Sequence, residues 1–335
     1  MGKIKALSLL SGGLDSTLAT KLIIEQNIGV VAINFFTPFC RCNRIKGCNS
    51  SAKFMAEKLN IEIRRYFLGE EYLKIVKNPK FGYGKNLNPC IDCRILMLKK
   101  TKEIMEKEGF SFIITGEVLN QRPKSQTFKA LKIIEKETGL EGLILRPLSA
   151  QFLPITIPEK EGWVDRKKLL SIKGRSRKQQ IFFADFFGIK DYPCPSGGCL
   201  LTDPIFAKKC KDLLEFGEFN LHNVNLLKIG RHFRINPFLK LIIGRDEDES
   251  KRLYNMKKEE DFILKENKTK IVGILKGCKS DFSLSISLKI FSKYVKSKEI
   301  IVEKFGKEEK YFVEEVDEIP SFFLIQKLDT LIQNG

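Results

Sequence analysis

The chain has 335 residues, of which 43% are hydrophobic and 30% charged, and its 59 Lys and Arg residues exceed its 41 Asp and Glu residues to give a formal net charge of +18. This composition excludes a disordered or collagen-like chain. No apolar run approaches the ~18 residues that a membrane span needs, and no secretory signal precedes the first strand. We therefore expect a soluble, cytoplasmic protein with no membrane partner. The excess positive charge favours a polyanionic partner such as nucleic acid.

Strand-like and helix-like runs alternate through the first 115 residues. Short apolar runs typical of buried strands are Ile4–Leu10, Val30–Phe36, Ile61–Tyr66 and Phe112–Thr115. Helical patterns between them are Ser16–Gln26, a helix capped by Asn49 that runs through Leu59, and Arg94–Lys107. Strands separated by helices predict an α/β fold with a doubly wound, mainly parallel sheet. The loops after Leu10, Phe36 and Thr115 should then converge at the carboxyl ends of the strands.

The rest of the chain is predicted to end this alternation and to add a smaller α+β domain. Predicted helices are Lys178–Phe187, Phe206–Glu215 and Leu284–Val295, and predicted strands are Lys240–Ile243, Ile271–Leu275 and Ile300–Val302. The chain is about as long as two typical domains, and we therefore predict two domains, at residues 1–205 and 221–335.

A nucleotide-binding loop is predicted between the first strand and the first helix, where the sequence reads Ser11-Gly12-Gly13-Leu14-Asp15-Ser16. The two glycines let the backbone approach a phosphate, and the hydroxyl groups and the free N–H groups of the helix start can donate to it. Asp15 can hold Mg²⁺ or fix the amides of the loop. The Gly-Lys-Ser/Thr ending of a Walker A loop is missing.

This loop resembles that of the PP-loop ATP pyrophosphatases. The resemblance implies that ATP and Mg²⁺ bind here, that an acceptor oxygen attacks the α-phosphate, and that pyrophosphate leaves. It also implies that the base of ATP lies near the second and fourth strands. The expected nucleotide-binding residues are Ser11, Gly12, Gly13, Asp15, Ser16, Thr17, Phe35, Thr115 and Gly116.

The cysteines offer a second kind of chemistry. There are nine, an odd number, which cannot all pair in a disulfide framework, and only two histidines accompany them. Cys90 and Cys93 form a CxxC motif at a predicted helix start, where amides and Arg94 should lower the thiol pKa. Cys199 lies in a later Gly-rich loop. Two such loops can meet in the fold, where one cysteine carries a sulfur atom and another resolves it. Alternatively, three thiolates can hold an iron–sulfur cluster with one open iron site. In the third interpretation these thiols are structural and simply packed in the core.

The segment Asn88-Pro89-Cys90-Ile91-Asp92-Cys93 resembles the cysteine loop of the tRNA thiouridine synthases. Together with Gly116–Pro123, Arg146-Pro147-Leu148 and Gly197–Asp203, it resembles their thiouridylase-like branch over residues 1–205. This implies an ATP-dependent tRNA sulfurtransferase that adenylates a uridine carbonyl of tRNA and then replaces the oxygen with sulfur. The implied catalytic residues are Asp15, Cys90, Cys93 and Cys199.

The resemblance leaves the sulfur route open between a persulfide and a cluster. Three site cysteines are typical of the cluster type, so we favour a [4Fe-4S] cluster on Cys90, Cys93 and Cys199. The sulfur donor would be a cysteine desulfurase or free sulfide. Cys40, Cys42 and Cys48 follow the second strand, and for them a metal site, a redox relay and a structural role all stay open.

Two segments suggest how RNA is bound. Residues 166–178 contain seven basic residues and no acidic one; they are Arg166, Lys167, Lys168, Lys173, Arg175, Arg177 and Lys178. Leu227–Arg234 and Leu241–Ser250 resemble the NFACT-R domain, a proposed RNA-binding module, although the chain departs from that pattern at Asp261–Leu264.

The charge belongs mainly to the first module. Residues 1–200 carry 34 basic and 19 acidic residues, a net charge of +15, whereas the remaining 135 residues carry only +3. This favours an RNA backbone held by the nucleotide-binding module itself.

Two alternative functions stay open. The first is a PP-loop amide or amine ligase, which would leave the cysteines without a chemical role. The second is a non-catalytic RNA-binding factor, whose function would tolerate Asp15→Ala.

Overall fold

The computed structural model describes residues 4–40, 48–190, 192, 198–278 and 280–314, with only the backbone of residues 48–50. The chain divides into two units, residues 1–202 and 203–335. The predicted domain bounds differ from this division by the segment 203–220, which lies in the second unit. Within the part of the chain described, no helix has both the length and the apolar character needed to cross a membrane.

The first unit is built on a parallel sheet. Its strands in the described residues are β1 (Lys5–Leu9), β2 (Gly29–Phe36), β3 (Ile63–Phe67), β4 (Phe112–Thr115) and β5 (Ile144–Leu145). They lie in the order β3-β2-β1-β4-β5, and each neighbouring pair runs parallel. The sheet extends on both sides of β1, so the predicted doubly wound α/β fold is confirmed.

Helices cover both faces of this sheet. They are α1 (Leu14–Ile24), α2 (Cys48–Lys58), α3 (Glu70–Lys77), α4 (Cys90–Glu108), α5 (Phe128–Thr138), α6 (Ile157–Lys160) and α7 (Lys178–Phe186). Because side chains alternate along a strand, Ile114 of β4 packs with Leu18 of α1, and Ile113 packs with Leu98 of α4 in a separate core. The two faces are therefore buried independently.

Two predicted helix starts are corrected by the structure. Helix α2 begins at Cys48, so Asn49 lies inside the helix and is not its N-cap. Helix α4 begins at Cys90, four residues before the predicted start at Arg94, and its N-cap is Pro89. Ile91 already belongs to the buried face that continues with Ile95 and Leu98, so the amphipathic run was placed too late, although the CxxC motif itself was expected at a helix start.

The second unit is built on an antiparallel sheet. Its described strands are β6 (Arg231–Asn236), β7 (Leu239–Ile243), β8 (Phe262–Lys265), β9 (Val272–Lys276), β10 (Glu299–Lys304) and β11 (Lys307–Phe312). Their order is β11-β10-β8-β9-β7-β6, with antiparallel pairing throughout. The helices are α8 (Pro204–Glu215), α9 (Leu221–Leu226), α10 (Glu247–Tyr254) and α11 (Asp281–Val295).

Helices also cover both faces of this second sheet. Leu264 and Leu275 share a core with Phe291 of α11. Their chain neighbours Ile263 and Ile274 point to the opposite face and share a core with Leu253 of α10. The expected α+β C-terminal domain is confirmed.

Candidate functional site

The loops after β1, β2 and β4 meet at the carboxyl edge of the parallel sheet, because these three strands are neighbours. The side-chain amide of Asn34 in β2 donates a hydrogen bond to the carbonyl oxygen of Leu10 at 2.8 Å, which joins the ends of β1 and β2. The predicted nucleotide loop begins immediately after Leu10 and ends in α1. It therefore lies at the place where doubly wound sheets bind their ligands.

The hydroxyl groups of the loop are bonded within the loop. The Oγ atoms of Ser11 and Ser16 lie 3.0 Å apart, and Ser16 Oγ and Thr17 Oγ1 each donate to the carbonyl oxygen of Gly13 at 3.0 Å. Gly13 is the N-cap of α1 and no side chain caps that helix start. The first-turn amides of α1 are thus left for an anion at the positive end of the helix.

Two glycines allow the loop its close contacts. Gly12 has a φ of +77°, and a Cβ atom there would lie 2.5 Å from the backbone nitrogen of Ala52 in α2. Gly116, just after β4, would place a Cβ atom 2.5 Å from the backbone of Ser16. Any larger residue at either position would push α1 or α2 away from the loop.

Asp15 is held by two side chains from distant parts of the first unit. Gln121 Nε2 donates to one carboxylate oxygen at 2.9 Å, and Arg177 lies 3.4 Å from the other. The Gln180 amide reaches Gln121 at 3.3 Å, so α7 is joined to the same network. Gln121 and Gln180 were not predicted as site residues, because nothing in a local pattern brings them to Asp15.

Phe35 and Thr115 occupy the ends of the strands that flank the loop. The Phe35 ring is partly buried, and its centroid lies 5.7 Å from that of Tyr66 in β3. Thr115 is 1% exposed, and its hydroxyl donates to Glu117 Oε2 at 3.1 Å. The Thr115 hydroxyl is therefore already engaged, so the groups that this turn could offer to a ligand are those of its backbone.

A buried charged network lies beside that turn. Glu117 is 1% exposed, with Arg146 Nε 3.0 Å from one carboxylate oxygen and Arg94 Nε 3.1 Å from the other. Arg146 also pairs with Glu135. Burial alone would raise the pKa of Glu117, but the positive charges of Arg94 and Arg146 bring that pKa below its ordinary value. Because Arg94 follows Cys93, the network joins the CxxC helix to the turn after β4.

The CxxC motif forms the first turn of α4. The carboxylate of Asp92, between the two cysteines, accepts hydrogen bonds from the backbone N–H groups of Lys80 and Phe81 at 2.9 and 3.2 Å. A Cβ atom on Gly84 would lie 3.2 Å from the sulfur of Cys90. Asp92 is thus a positioning residue that fixes the loop before the two thiols.

The segment around Cys199 is hydrogen-bonded on one side to the loop that precedes the CxxC motif and is paired on the other side with Cys40. The Leu87 N–H donates to the Leu201 carbonyl at 3.2 Å, and the Asn86 amide donates to the Thr202 carbonyl at 2.8 Å. On the other side, Cys199 forms an isolated antiparallel bridge with Cys40. The predicted trio of Cys90, Cys93 and Cys199 therefore has Cys40 as a fourth neighbour. Cys42, Cys194 and the side chain of Cys48 lie outside the described residues.

The thiols are less acidic than the sequence suggested. Burial raises the pKa of Cys90 and of Cys93, and it raises the pKa of Cys199 to about 12. The expected lowering by the helix start and Arg94 was wrong, since the loss of water outweighs the positive charges nearby. Buried Tyr72 lies beside Cys93 and acts against the rise in the pKa of that thiol, a contact that sequence reasoning missed.

The thiols are ligands of the type that soft metal centres prefer, but they are not arranged in the geometry of a metal site. In the described residues, no three His, Cys, Asp or Glu side chains stand in the geometry of a metal site. Cys40, Cys90 and Cys93 are nevertheless close enough to Cys199 for their charges to act on its thiol. Thiolate ligands suit iron–sulfur clusters and other soft ions.

The basic segment 166–178 is not one helix. A 3₁₀ turn spans Arg166–Lys168, and α7 begins only at Lys178. Arg166 is held by Glu159 and by the carbonyl oxygens of Ala150 and Leu153, so it is structural. The exposed members, which can meet a polyanion, are Lys167, Lys168, Lys173, Arg175 and Lys178.

A cavity of about 140 Å³ lies elsewhere in the first unit. It is lined by α5 and by the segment after β5, with Leu131, Arg146 and Ile155 among its walls. Arg146 and Glu135 of the buried charged network line it, whereas neither the nucleotide loop nor the cysteines do.

Comparisons with known proteins match the two parts of the chain separately. Residues 2–151 match the family described as thiamine biosynthesis protein (ThiI), and residues 230–318 match the NFACT protein RNA binding domain. A "Probable tRNA sulfurtransferase" of Lysinibacillus sphaericus is 30% identical over 145 residues, which is 43% of this chain and 34% of the relative. One of Thermococcus kodakarensis is 27% identical over 146 residues, 43% of this chain and 36% of the relative. The chain thus matches only about a third of the length of these relatives.

Two solved structures are also similar. A 4-thiouridine synthetase–RNA complex with bound ATP has a TM-score of 0.37 and 19% identity, covering 67% of this chain and 52% of that one. The U34-tRNA thiolase NcsA from Methanococcus maripaludis, solved with its [4Fe-4S] cluster, has a TM-score of 0.35 and 18% identity, covering 68% and 74%.

Proposed function

We propose that this protein is an ATP-dependent tRNA sulfurtransferase, because residues 2–151 match the ThiI family and residues 230–318 match the NFACT RNA-binding domain. It adenylates a uridine carbonyl of tRNA, releases pyrophosphate and replaces the oxygen with sulfur. The observation that carries the proposal is a chain of contacts from the nucleotide loop to the thiols. Ser16 packs on Gly116, the neighbouring Glu117 pairs with Arg94, and Arg94 follows Cys93.

In the first stage, the loop binds the pyrophosphate part of ATP. The uncapped amides of α1 bind the anion, and the glycine contacts at Gly12 and Gly116 keep the backbones close enough to enclose it. Asp15 would hold Mg²⁺ once Arg177 turns from the carboxylate towards a phosphate. A uridine oxygen then forms a bond to the α-phosphorus while the bond to pyrophosphate breaks.

In the second stage, sulfur displaces AMP from the activated carbon. Cys90, Cys93 and Cys199 would hold a [4Fe-4S] cluster, which supplies a Lewis-acidic iron for hydrosulfide. Tyr72, which lies beside Cys93, would be placed to donate a hydrogen bond to that ligand and orient it. In the alternative persulfide route, a cysteine carries the sulfur, and its raised pKa means that a base must first remove the thiol proton.

Iron analysis separates the two sulfur routes. The protein is purified without oxygen, and iron and labile sulfide are measured in the wild type, in Cys93→Ser and in Cys278→Ser, whose cysteine lies in the second unit. The cluster route predicts iron in the wild type and in Cys278→Ser but not in Cys93→Ser. A colourless wild type with full thiolation activity would exclude the cluster.

Pyrophosphate release tests the activation step. The full chain is incubated with ATP, Mg²⁺ and unmodified tRNA, with and without sodium sulfide. We expect tRNA-dependent formation of AMP and pyrophosphate, lost in Asp15→Asn. Release that needs ammonium or an amine and ignores sulfide would instead favour the amide or amine ligase. RNA binding without any ATP turnover would favour the non-catalytic factor.

A further inference from the structure

Helix α7 presents two phenyl rings to solvent. Phe182 is 67% exposed and Phe186 is 73% exposed. They are four positions apart and therefore neighbours on one face of the helix, and the exposed Lys178, four positions earlier, continues the same row. Single exposed apolar residues are ordinary, but adjacent exposed rings bordered by charged residues mark a binding surface. We call Lys178, Phe182 and Phe186 the aromatic row.

The opposite side of α7 is buried and is joined to the candidate site. Ala184 shares a core with Leu18 of α1. The buried Gln180 donates to Gln121, which in turn donates to Asp15 of the nucleotide loop. A helix with its side chains is about 10–12 Å across, so a molecule bound on the aromatic row lies about one helix width from the network around Asp15.

Each exposed ring packs on a partly buried one. The ring centroids of Phe182 and Phe183 lie 5.3 Å apart, and those of Phe186 and Phe187 lie 5.0 Å apart, in both cases edge to face. Phe183 and Phe187 pack against the core that α7 shares with α1. The exposed rings are thus held in position before any partner arrives, which lowers the entropy cost of stacking on them.

The charge around the aromatic row indicates its partner. Residues 166–190 contain eight basic residues and one acidic residue, Asp185. Lys178 begins the row, and the exposed Lys173 and Arg175 precede it. Rings beside a basic segment fit a polymer in which flat bases alternate with phosphates, as they do in RNA. The RNA must be unpaired there, since only splayed-out bases offer a face to an aromatic side chain.

We propose that Phe182 and Phe186 stack unpaired nucleotides of RNA and that Lys178 binds a phosphate of the same strand. The inference rests on the proposed function for the identity of this RNA as tRNA. It narrows the substrate to a uridine whose neighbouring nucleotides are single-stranded when bound. Those nucleotides rest on the aromatic row, while the buried side of the same helix contacts the nucleotide loop.

Fluorescence anisotropy tests the row with the full chain and a labelled single-stranded oligouridylate, without ATP or a sulfur source. Phe182→Leu combined with Phe186→Leu keeps an apolar surface but removes the flat rings, so the affinity should fall at least about tenfold. Phe182→Tyr combined with Phe186→Tyr should bind as the wild type, because its rings still stack. Phe128→Leu on α5, where the ring is 47% exposed, is the matched control and should leave the affinity unchanged.

Salt and pairing separate the rings from the charge. The double Leu variant should keep the wild-type salt dependence, whereas Lys178→Gln should reduce the slope of log affinity against log salt by about 0.7. The double Leu variant should also bind a duplex RNA of the same length as the wild type does. An equal loss of affinity for the single strand and for the duplex would overturn the proposal.

Cross-linking locates the RNA on the chain. An oligouridylate that contains 4-thiouridine, irradiated in the complex, should become linked to the tryptic peptide 179–190, which contains both rings. Cross-links confined to the second unit, or unchanged single-strand affinity in the double Leu variant, would refute the stacking role. So would a dimer in solution that Phe182→Asp abolishes without loss of RNA affinity, since the row would then bind a second copy of the chain.

The outcomes distinguish this inference from the proposed function. The assay needs neither ATP nor sulfur, so a chain that binds unpaired RNA on α7 but thiolates none supports the aromatic row and contradicts the sulfurtransferase. A chain that thiolates tRNA but loses no affinity in the double Leu variant does the reverse. A melting curve of each variant establishes that it folds.

Discussion

Single glycines decide how closely the nucleotide loop packs. Gly12 lies against α2 and Gly116 against the start of α1, and in both cases the space for a side chain is taken by backbone atoms rather than by a movable side chain. The sequence predicted both residues as nucleotide-binding, Gly12 from the PP-loop pattern and Gly116 from its place in the turn after the fourth strand. It could not predict what each of them touches, because Ala52 and Ser16 reach them only in the folded unit.

Replacing Gly116 tests this packing. We expect Gly116→Ala to displace the first turn of α1, since its Cβ atom would lie 2.5 Å from the Ser16 backbone. Overpacking by a methyl group costs about 1–3 kcal/mol, so ATP binding should weaken about tenfold. Calorimetric titration measures it. Gly29→Ala is the matched control, because its Cβ atom would meet only Lys5 Cγ at 3.5 Å. Equal ATP affinity in both variants would contradict the expectation.

Thiol reactivity tests the electrostatics of the site. Burial raises the pKa of Cys90, Cys93 and Cys199, so these thiols are protonated at neutral pH. We expect slow alkylation by iodoacetamide at pH 7 and a rate that rises about tenfold per pH unit, since only the thiolate reacts. Peptide mapping against glutathione in the same mixture measures it. If Cys90 or Cys93 is labelled faster than glutathione at pH 7, its thiol has the lowered pKa that the sequence predicted.

At the scale of elements, the pattern of apolar residues predicted most strands of the two sheets but missed short or charged ones, among them the buried β5 and β8. β4 was predicted with its observed bounds, and all four of its residues are buried. β11 consists mostly of exposed charged residues and is held through its pairing with β10. β6 was also missed, because its buried Arg234 reads as a surface residue until Asp212 and Glu218 are seen to pair with it.

The candidate site shows the same limit. The PP-loop and the CxxC motif are contiguous in sequence and were found. The contacts of Asp15 with Gln121, of Cys93 with Tyr72 and of Cys199 with Cys40 join segments far apart in the chain. No local periodicity encodes them. They follow from the strand order, which brings the ends of β1, β2 and β4 together.

A buried histidine gives the second unit a pH dependence. His232 in β6 is 0% exposed, and burial, together with Lys209 and Lys240, holds its pKa well below its ordinary value of 6.5. The unfolded chain therefore binds a proton below pH 6.5 that the folded chain does not. The stability contributed by neutral His232 is present above that pH and is lost as the pH falls below it.

We expect the free energy of unfolding of the second unit to fall by about 1 kcal/mol per pH unit as the pH decreases from 6.5 towards 5. Denaturation of the full chain, followed by hydrogen exchange of β6 and β7, measures this. His232→Asn should flatten the dependence, whereas His222→Gln should keep most of it because His222 is less buried. A second unit equally stable at pH 5 and 7 would contradict the assignment.

At the scale of the molecule, the positive charge concentrates where the nucleotide and sulfur chemistry is proposed. Residues 1–200 carry a net charge of +15. The basic segment is connected to the nucleotide loop through Arg177 and Asp15. The exposed Arg175 and Lys178 flank Arg177, so an RNA phosphate bound there would lie next to the loop.

Salt dependence of RNA binding tests this arrangement. Arg175→Gln combined with Lys178→Gln should reduce the slope of log affinity against log salt by about 1.5, because each lost phosphate contact removes about 0.7–0.9. Fluorescence anisotropy with labelled tRNA measures it. Lys129→Gln combined with Lys136→Gln removes the same charge from exposed positions on α5. If both pairs of substitutions reduce the slope equally, the effect is one of overall charge and residues 166–178 are not a binding segment.

The central claim is that this chain thiolates tRNA, and the nucleosides of tRNA test it most directly. Total tRNA from a strain that lacks the protein is digested and analysed by mass spectrometry, with the wild type, Asp15→Asn or Cys199→Ser supplied in turn. The account predicts the loss of a thiouridine that only the wild type restores. An unchanged thiolated-nucleoside profile in the deletion strain would contradict it.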